Sequence, residues 1–229
     1  MKKSLLVSAA ALALAAAATV APMTVSAATA DGSAQGTTTA EFTVTAGDDG
    51  STTPGGDNGS GVNKDLWLVN APDMNFGTTT VAKIIAGTAA MNYQDGKVKV
   101  QTGDAAENTD GKLAVSDLRG NGAGWKLSAN LTQFTNNADK TDANKLDGQL
   151  ALALTNVVAP NATLGTAATL KTDGQDVTIW TAGKDEGQGA NTADVDTATK
   201  LTLDKNAQVK AVQYDATITW TLSSTITAG

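Results

Sequence analysis

The chain has 229 residues, of which 23 are acidic and 16 basic, giving a formal net charge of −7. Its basic side chains are scattered singly, so it lacks the positive footprint that neutralises phosphates, which argues against nucleic acid and anionic membrane surfaces as partners. It contains neither histidine nor cysteine, so disulfides are excluded and stability rests on the core.

Residues 1–27 carry Lys2 and Lys3, then an apolar run of Leu and Ala, then a small-residue end at Val25-Ser26-Ala27. This is the plan of a secretory signal peptide, with cleavage expected after Ala27. A membrane anchor is the rival reading, but spanning helices need about 20 strongly apolar residues, and this run is mostly Ala. No second hydrophobic span and no Leu-Pro-x-Thr-Gly sorting signal follow. The expected product is therefore exported, with no membrane contact after signal cleavage and no covalent anchor.

Residues 28–63 form a Gly/Thr/Ser-rich stretch, most extreme in GDDGSTTPGGDNGSGVNK. Its apolar surface is too small to offset the entropy of ordering, which predicts a flexible Gly/Thr-rich arm. One island, AEFTVTAG, alternates Phe42 and Val44 with Thr43 and Thr45, a possible short strand at 41–45.

The folded domain is expected over 64–229, where the period is 2 nearly everywhere. Leu66 and Leu68, Val98 and Val100, Leu150, Leu152 and Leu154, Val177 and Ile179, and Leu201 and Leu203 alternate with smaller or polar residues. QDGK, TDGK, KLDGQ and KTDGQD supply turn signals between them. This pattern predicts eight to ten strands in an all-β fold, an antiparallel β-sandwich of Ig-like or related type. The Ala-rich KIIAGTAAMNY is the one place for a helical turn.

Two segments share a pattern. On a strand starting at Trp125, the side chains of Trp125, Leu127, Ala129 and Leu131 point one way. Near the C-terminus Ala216, Ile218, Trp220 and Leu222 do the same. Either both faces turn into the core, where a Trp brings about 150–250 Å² of surface and needs one partner for its N–H, or a ring stays exposed as a platform for a sugar or a partner protein. Upstream of Trp125, RGNGAG opens a strand rather than a helix, so it is a turn, a bulge or a close backbone approach, not a phosphate cradle. Asp117 and Arg119 lie on one side of an extended segment and can pair, an arrangement usually found at a surface or rim.

No residue set selects an enzyme. Cys and His nucleophile chemistry is absent, there is no Gly-x-Ser-x-Gly elbow, and no sequence feature selects one carboxylate pair for glycoside hydrolysis. Oxygen ligands for Ca²⁺ would have to come from groups such as Asp48, Asp49, Asp194 and Asp196, but their spacing matches no Ca²⁺ loop and reads as solvated turns. No catalytic residue, metal or cofactor is expected.

The segments LWLVNAPDMNFGTTTV, VSDLRGNGAGWKLSANLTQF, LDGQLALAL and YDATITWTLS, in this order, resemble the WxL-domain proteins of low-GC Gram-positive cell surfaces. The likeness spans roughly residues 40 to 229. It includes Phe76-Gly77 after a proline, Asp117-x-Arg119-Gly120 before the first Trp, and Tyr214 six residues before the second. The family's two motifs fall on Trp125-Lys126-Leu127 and Trp220-Thr221-Leu222. The resemblance implies a secreted, non-enzymatic protein held non-covalently on the cell wall, through peptidoglycan, another wall polymer or a surface protein of the same complex. An adhesin module for host matrix or another extracellular ligand is the alternative. Trp125, Leu127, Trp220 and Leu222 then either make the wall or partner contact or serve as a core signature. The chain departs from the family's Asp-x-Pro-like end, reading Ser223-Ser224-Thr225-Ile226 instead, and Trp67 starts only a Trp-x-Val. It looks like a small, stand-alone member without a cargo module.

Overall fold

A computed structural model describes residues 42–43, 60–63, 65–98, 110–136 and 145–224. The chain divides into two units, Met1–Val44 and Thr45–Gly229. In the first, only Phe42 and Thr43 are described, both exposed and neither in a strand. The expected signal peptide at 1–27 and the rest of the possible strand at 41–45 lie outside the described residues.

Among its described residues the second unit has the strands β1 (Ser60–Asn63), β2 (Leu66–Asn70), β3 (Ala90–Asn92), β4 (Lys112–Asp117), β5 (Trp125–Leu131), β6 (Gly148–Val158), β7 (Ala167–Lys171), β8 (Val177–Ala182), β9 (Gly189–Val195), β10 (Lys200–Leu203) and β11 (Ile218–Ser224), with one helix, α1 (Val81–Ala86). The described pairings are all antiparallel. They build a large sheet, β1-β2-β4-β9-β6-β10-β3 with β7 on the other edge of β6, and a small sheet, β11-β5-β8. The expected all-β antiparallel sandwich is what the chain forms.

The long strand β6 organises the large sheet. Leu150, Leu152 and Leu154 are buried while Gln149 and Ala151 are exposed, the period-2 alternation of a strand with one face in a core. Its first half pairs with β7 and β10 on opposite edges, and its second half with β9. Strands β9 and β10 are thus one path interrupted at Asp196–Thr199. The buried Thr199 spans that break: its Oγ1 donates to the Ala153 carbonyl and accepts from the Ala153 N–H, both at 2.9 Å. The Ala153 carbonyl also accepts from Asp196 N–H at 2.9 Å, so it is at the Ala153 N–H that the side-chain hydroxyl stands in for a missing ladder partner.

The sheets meet face to face over one core. The large sheet contributes Leu66, Leu113, Leu152 and Leu170, and the small one Trp125, Leu127, Ile179 and Trp180. A second, smaller cluster of Ile84, Ala89, Leu146, Leu201 and Leu203 holds α1. That helix is set by its ends: the Thr80 side chain accepts from Lys83 N–H, and Gly87 closes it with φ +71°, the usual capping chemistry. The helix begins two residues before the segment expected to hold a turn, and the rest of that segment supplies β3.

Three expectations are corrected. Val98 is not in a strand: its N–H donates to the Gly96 carbonyl at 3.0 Å, beside a turn closed by Lys97 N–H donating to Asp95 Oδ1, and Val100 lies outside the described residues. KLDGQ is no turn, because the buried Gly148 begins β6 with no room for a Cβ against the Thr202 carbonyl oxygen and Leu203, the close approach for which a strand glycine serves. In β8 the alternation breaks, since a register shift opposite Leu127 and Ser128 leaves the consecutive Ile179 and Trp180 both buried, as a β-bulge does.

Candidate functional site

The two Trp-x-Leu segments are adjacent strands. β5 and β11 pair so that Leu127 faces Leu222, Trp125 faces Ser224 and Trp220 faces Ala129. Directly opposed residues of an antiparallel pair project to the same side, so both motifs turn toward the core. Trp125 and Leu127 are 0 % exposed and Leu222 9 %. Trp220 is half-buried and packs against the core, because β11 is an edge strand and covers its own inner face incompletely.

Trp125 is fixed by specific partners. Its Nε1–H donates to the Gly187 carbonyl at 3.0 Å, and its ring meets Trp180 edge-on with centroids 6.4 Å apart. The bulge in β8 is what brings Trp180 there. Asn191, fully buried, also donates to the Gly187 carbonyl, at 2.8 Å. Gly187 itself lies so close to the indole that a Cβ would reach Nε1.

The segment after β4 crosses from the large sheet to the small one through RGNGAG. Gly120, Gly122 and Gly124 all have positive φ, so the run is a left-handed crossing loop. The close backbone approach it makes is to the loop after β8, not to the neighbouring Trp. A Cβ on Gly124 would lie 2.5 Å from the carbonyl oxygens of Ala182 and Gly183, and Asp185 N–H donates to the Gly122 carbonyl at 2.8 Å.

Asp117 and Arg119 do pair, but inside rather than at a surface or rim. Their side chains are 2 % and 6 % exposed. Arg119 Nε and one terminal nitrogen grip the two carboxylate oxygens at 2.8 and 2.7 Å, and its backbone N–H adds a third bond to Asp117 at 3.1 Å. Two of the three remaining guanidinium N–H donors reach the Gly124 carbonyl at 2.8 Å and Ser224 Oγ at 2.6 Å. A buried guanidinium is tolerated only when its charge and donors are satisfied. Here the satisfaction comes from the end of β4, the residue before Trp125 and the residue opposite Trp125. Through Ser224 the guanidinium is thus joined to the last strand.

The family description "WxL domain surface cell wall-binding" matches residues 31–225. The chain belongs to the WxL domain family. No match was found among curated proteins or among solved structures. The family is one of binding domains, and membership makes this a surface domain that attaches to the cell wall. Other residues that carried the likeness also have structural posts in the WxL domain, for Phe76 and Tyr214 both pack on the second cluster.

Of the candidate cation ligands, Asp194 and Asp196 each have other partners. Asp194 binds Asn156 Nδ2 at 2.9 Å and Lys112 Nζ at 3.1 Å, and these two bonds hold its carboxyl below the ordinary aspartate range. Asp196 accepts from Ala198 N–H within its own turn. Asp48 and Asp49 lie outside the described residues, and among the described residues no group of three ligands for a metal ion occurs. Sequence reasoning missed Gly187, Asn191 and Ser224 as partners of the WxL strands. Only their long-range geometry connects them, and no local pattern marks it.

Proposed function

We propose that this WxL domain is exported through residues 1–27 and holds non-covalently to a Gram-positive wall, through peptidoglycan or a surface protein of the same complex, without catalysing a reaction. The observation that carries the reading is the match to a cell wall-binding domain over residues 31–225. The absence of His and Cys supports a binding rather than a catalytic role. In this reading the Trp-x-Leu pair acts as a core signature. It locks the small sheet to the large one, which the full burial of Trp125 and Leu127 supports, and other surfaces make the wall contact.

Co-sedimentation of the purified mature protein with isolated cell walls tests this. The protein is expected in the pellet with a Kd unaffected by Trp125→Phe. Sedimentation no better than that of an unrelated acidic β domain, together with no binding to isolated surface proteins, would overturn it.

A further inference from the structure

An edge strand offers a row of unpaired N–H and C=O groups to any other chain, and soluble proteins blunt it by shortness, a bulge, a charge or a covering element. The large sheet does so. Its β3 has three residues, β1 has four with a register shift between Gly61 and Asn63, and β7 ends on the exposed Lys171. In the small sheet, β8 carries its bulge and runs close to β7.

β11 has none of these devices. Its sequence ITWTLSS holds no charge, proline or glycine, and it keeps one register against β5 over all seven residues. β1 and β2 come near it without pairing with it. The ladder shows which of its groups are free. Thr132 N–H donates to the Thr217 carbonyl at 3.0 Å, so the hydrogen-bonded pairs of β5 and β11 recur at Thr219–Asn130, Thr221–Ser128 and Ser223–Lys126. The N–H and C=O groups of Ile218, Trp220 and Leu222 therefore point away from β5, and among the described residues no strand takes them up. The half-buried Trp220 lies at the same margin.

This strand is complementary to itself. Laid antiparallel against a second β11 with all seven residues paired, it sets Thr221 on a two-fold axis, opposite Thr221 of the other copy. Trp220 then meets Leu222, Thr219 meets Ser223, and Ile218 meets Ser224. The outward groups of Trp220 and Leu222 fall in hydrogen-bonding pairs, while the two Thr221 residues form a close non-hydrogen-bonded pair. Aromatic–aliphatic and hydroxyl–hydroxyl neighbours favour such pairing, and no like charges oppose one another. A two-fold contact also closes after two copies, so it consumes the edge instead of propagating a fibre.

We propose that β11 is a dimer edge, through which two copies of this chain join their small sheets into one continuous sheet ordered β8-β5-β11-β11-β5-β8. The proposal goes beyond wall attachment and does not depend on it.

The chain has no cysteine, which makes a single introduced thiol a clean probe. Opposed residues of a non-hydrogen-bonded pair have Cα atoms about 4.5 Å apart, within disulfide range. Thr221→Cys in the mature protein is therefore expected to form a covalent dimer under mild oxidation. Thr178→Cys, exposed on the far strand of the same sheet, is expected to stay monomeric. In sedimentation velocity, Thr221→Lys and Thr221→Glu should each weaken dimerisation about tenfold or more, because like charges then face each other across the axis. An equimolar mixture of the two should recover the dimer. Thr221 is exposed, so melting temperatures should stay unchanged. In the unmodified protein, amide exchange at Trp220 and Leu222 should slow as concentration rises, whereas Thr219 and Thr221, which face β5, are protected throughout. Monomeric sedimentation at every concentration, a dimer indifferent to both charges at position 221, or slowed exchange at Trp220 and Leu222 only on adding a different protein would each overturn the proposal.

Discussion

Leu127 and Leu222 stand directly opposite each other across β5 and β11, so the two Trp-x-Leu motifs form a single ladder rather than two separate sites. Their tryptophans sit at different depths along it, one enclosed and one at the sheet edge.

That difference predicts unequal costs of truncation. Trp125→Ala removes a fully enclosed ring and should destabilise by about 3–5 kcal/mol. Trp220→Ala removes a half-buried one and should cost about 1–2 kcal/mol. Denaturant midpoints of the two variants check the order. Equal midpoints, or a larger loss at position 220, would contradict the packing described.

The Asp117–Arg119 pair should behave as a buried ion pair. Asp117→Ala leaves a guanidinium enclosed without its counter-charge and should cost about 3–5 kcal/mol. Replacing both residues by apolar ones of similar volume should cost less than this single change. A double-mutant cycle by chemical unfolding measures it, and additive single and double costs would show that the pair is not coupled.

Two glycines of the crossing loop separate conformational from steric cost. Gly120 has φ +64° with open space around it, so Gly120→Ala should cost about 1–2 kcal/mol from the left-handed backbone alone. Gly124→Ala adds a collision with two backbone carbonyls and should cost clearly more, or prevent folding. Similar melting temperatures for the two variants would refute this contrast.

At the surface, Asn156 and Lys112 hold the Asp194 carboxyl below the ordinary aspartate range. The folded pKa is depressed, so the stabilisation is fully present above the unfolded aspartate value and is lost as pH falls through the folded one. Asp194→Asn should therefore reduce the loss of thermal stability on acidification below about pH 4, and only modestly, because the pair is solvated. Identical acid limbs for variant and parent would argue against the linkage.

Strand segments of period 2 were legible wherever one face meets the core and the other meets water, as in β5, β6 and β11. The pattern also placed Trp125 and Leu127 on one face. It left open which way that face points, because alternation is the same for either sense. Where long-range geometry decides, local pattern fails. The burial of Arg119 depends on Ser224 far along the chain, and the paired burial of Ile179 and Trp180 depends on a register shift against β5. Gly148 resembles a turn glycine until β10 is laid beside it. The second cluster under α1 was hidden because its residues come from separated places in the chain.

The pairing of β5 with β11 also orders events in time. Leu131 and Ile218 are neighbours in the small sheet, yet β6 through β10 lie between them in the chain. Contacts of such sequence separation form late and slow folding. A chain emerging N-terminus first reaches the large sheet's strands before it can finish the small one, so Trp125 stays uncovered on one side until β11 arrives. A chain ended before Ile218 should show a solvent-exposed Trp125, read by fluorescence quenching in a variant carrying no other tryptophan. The WxL repeat then works as a completion signal, in which the second copy seals the surface that the first leaves open.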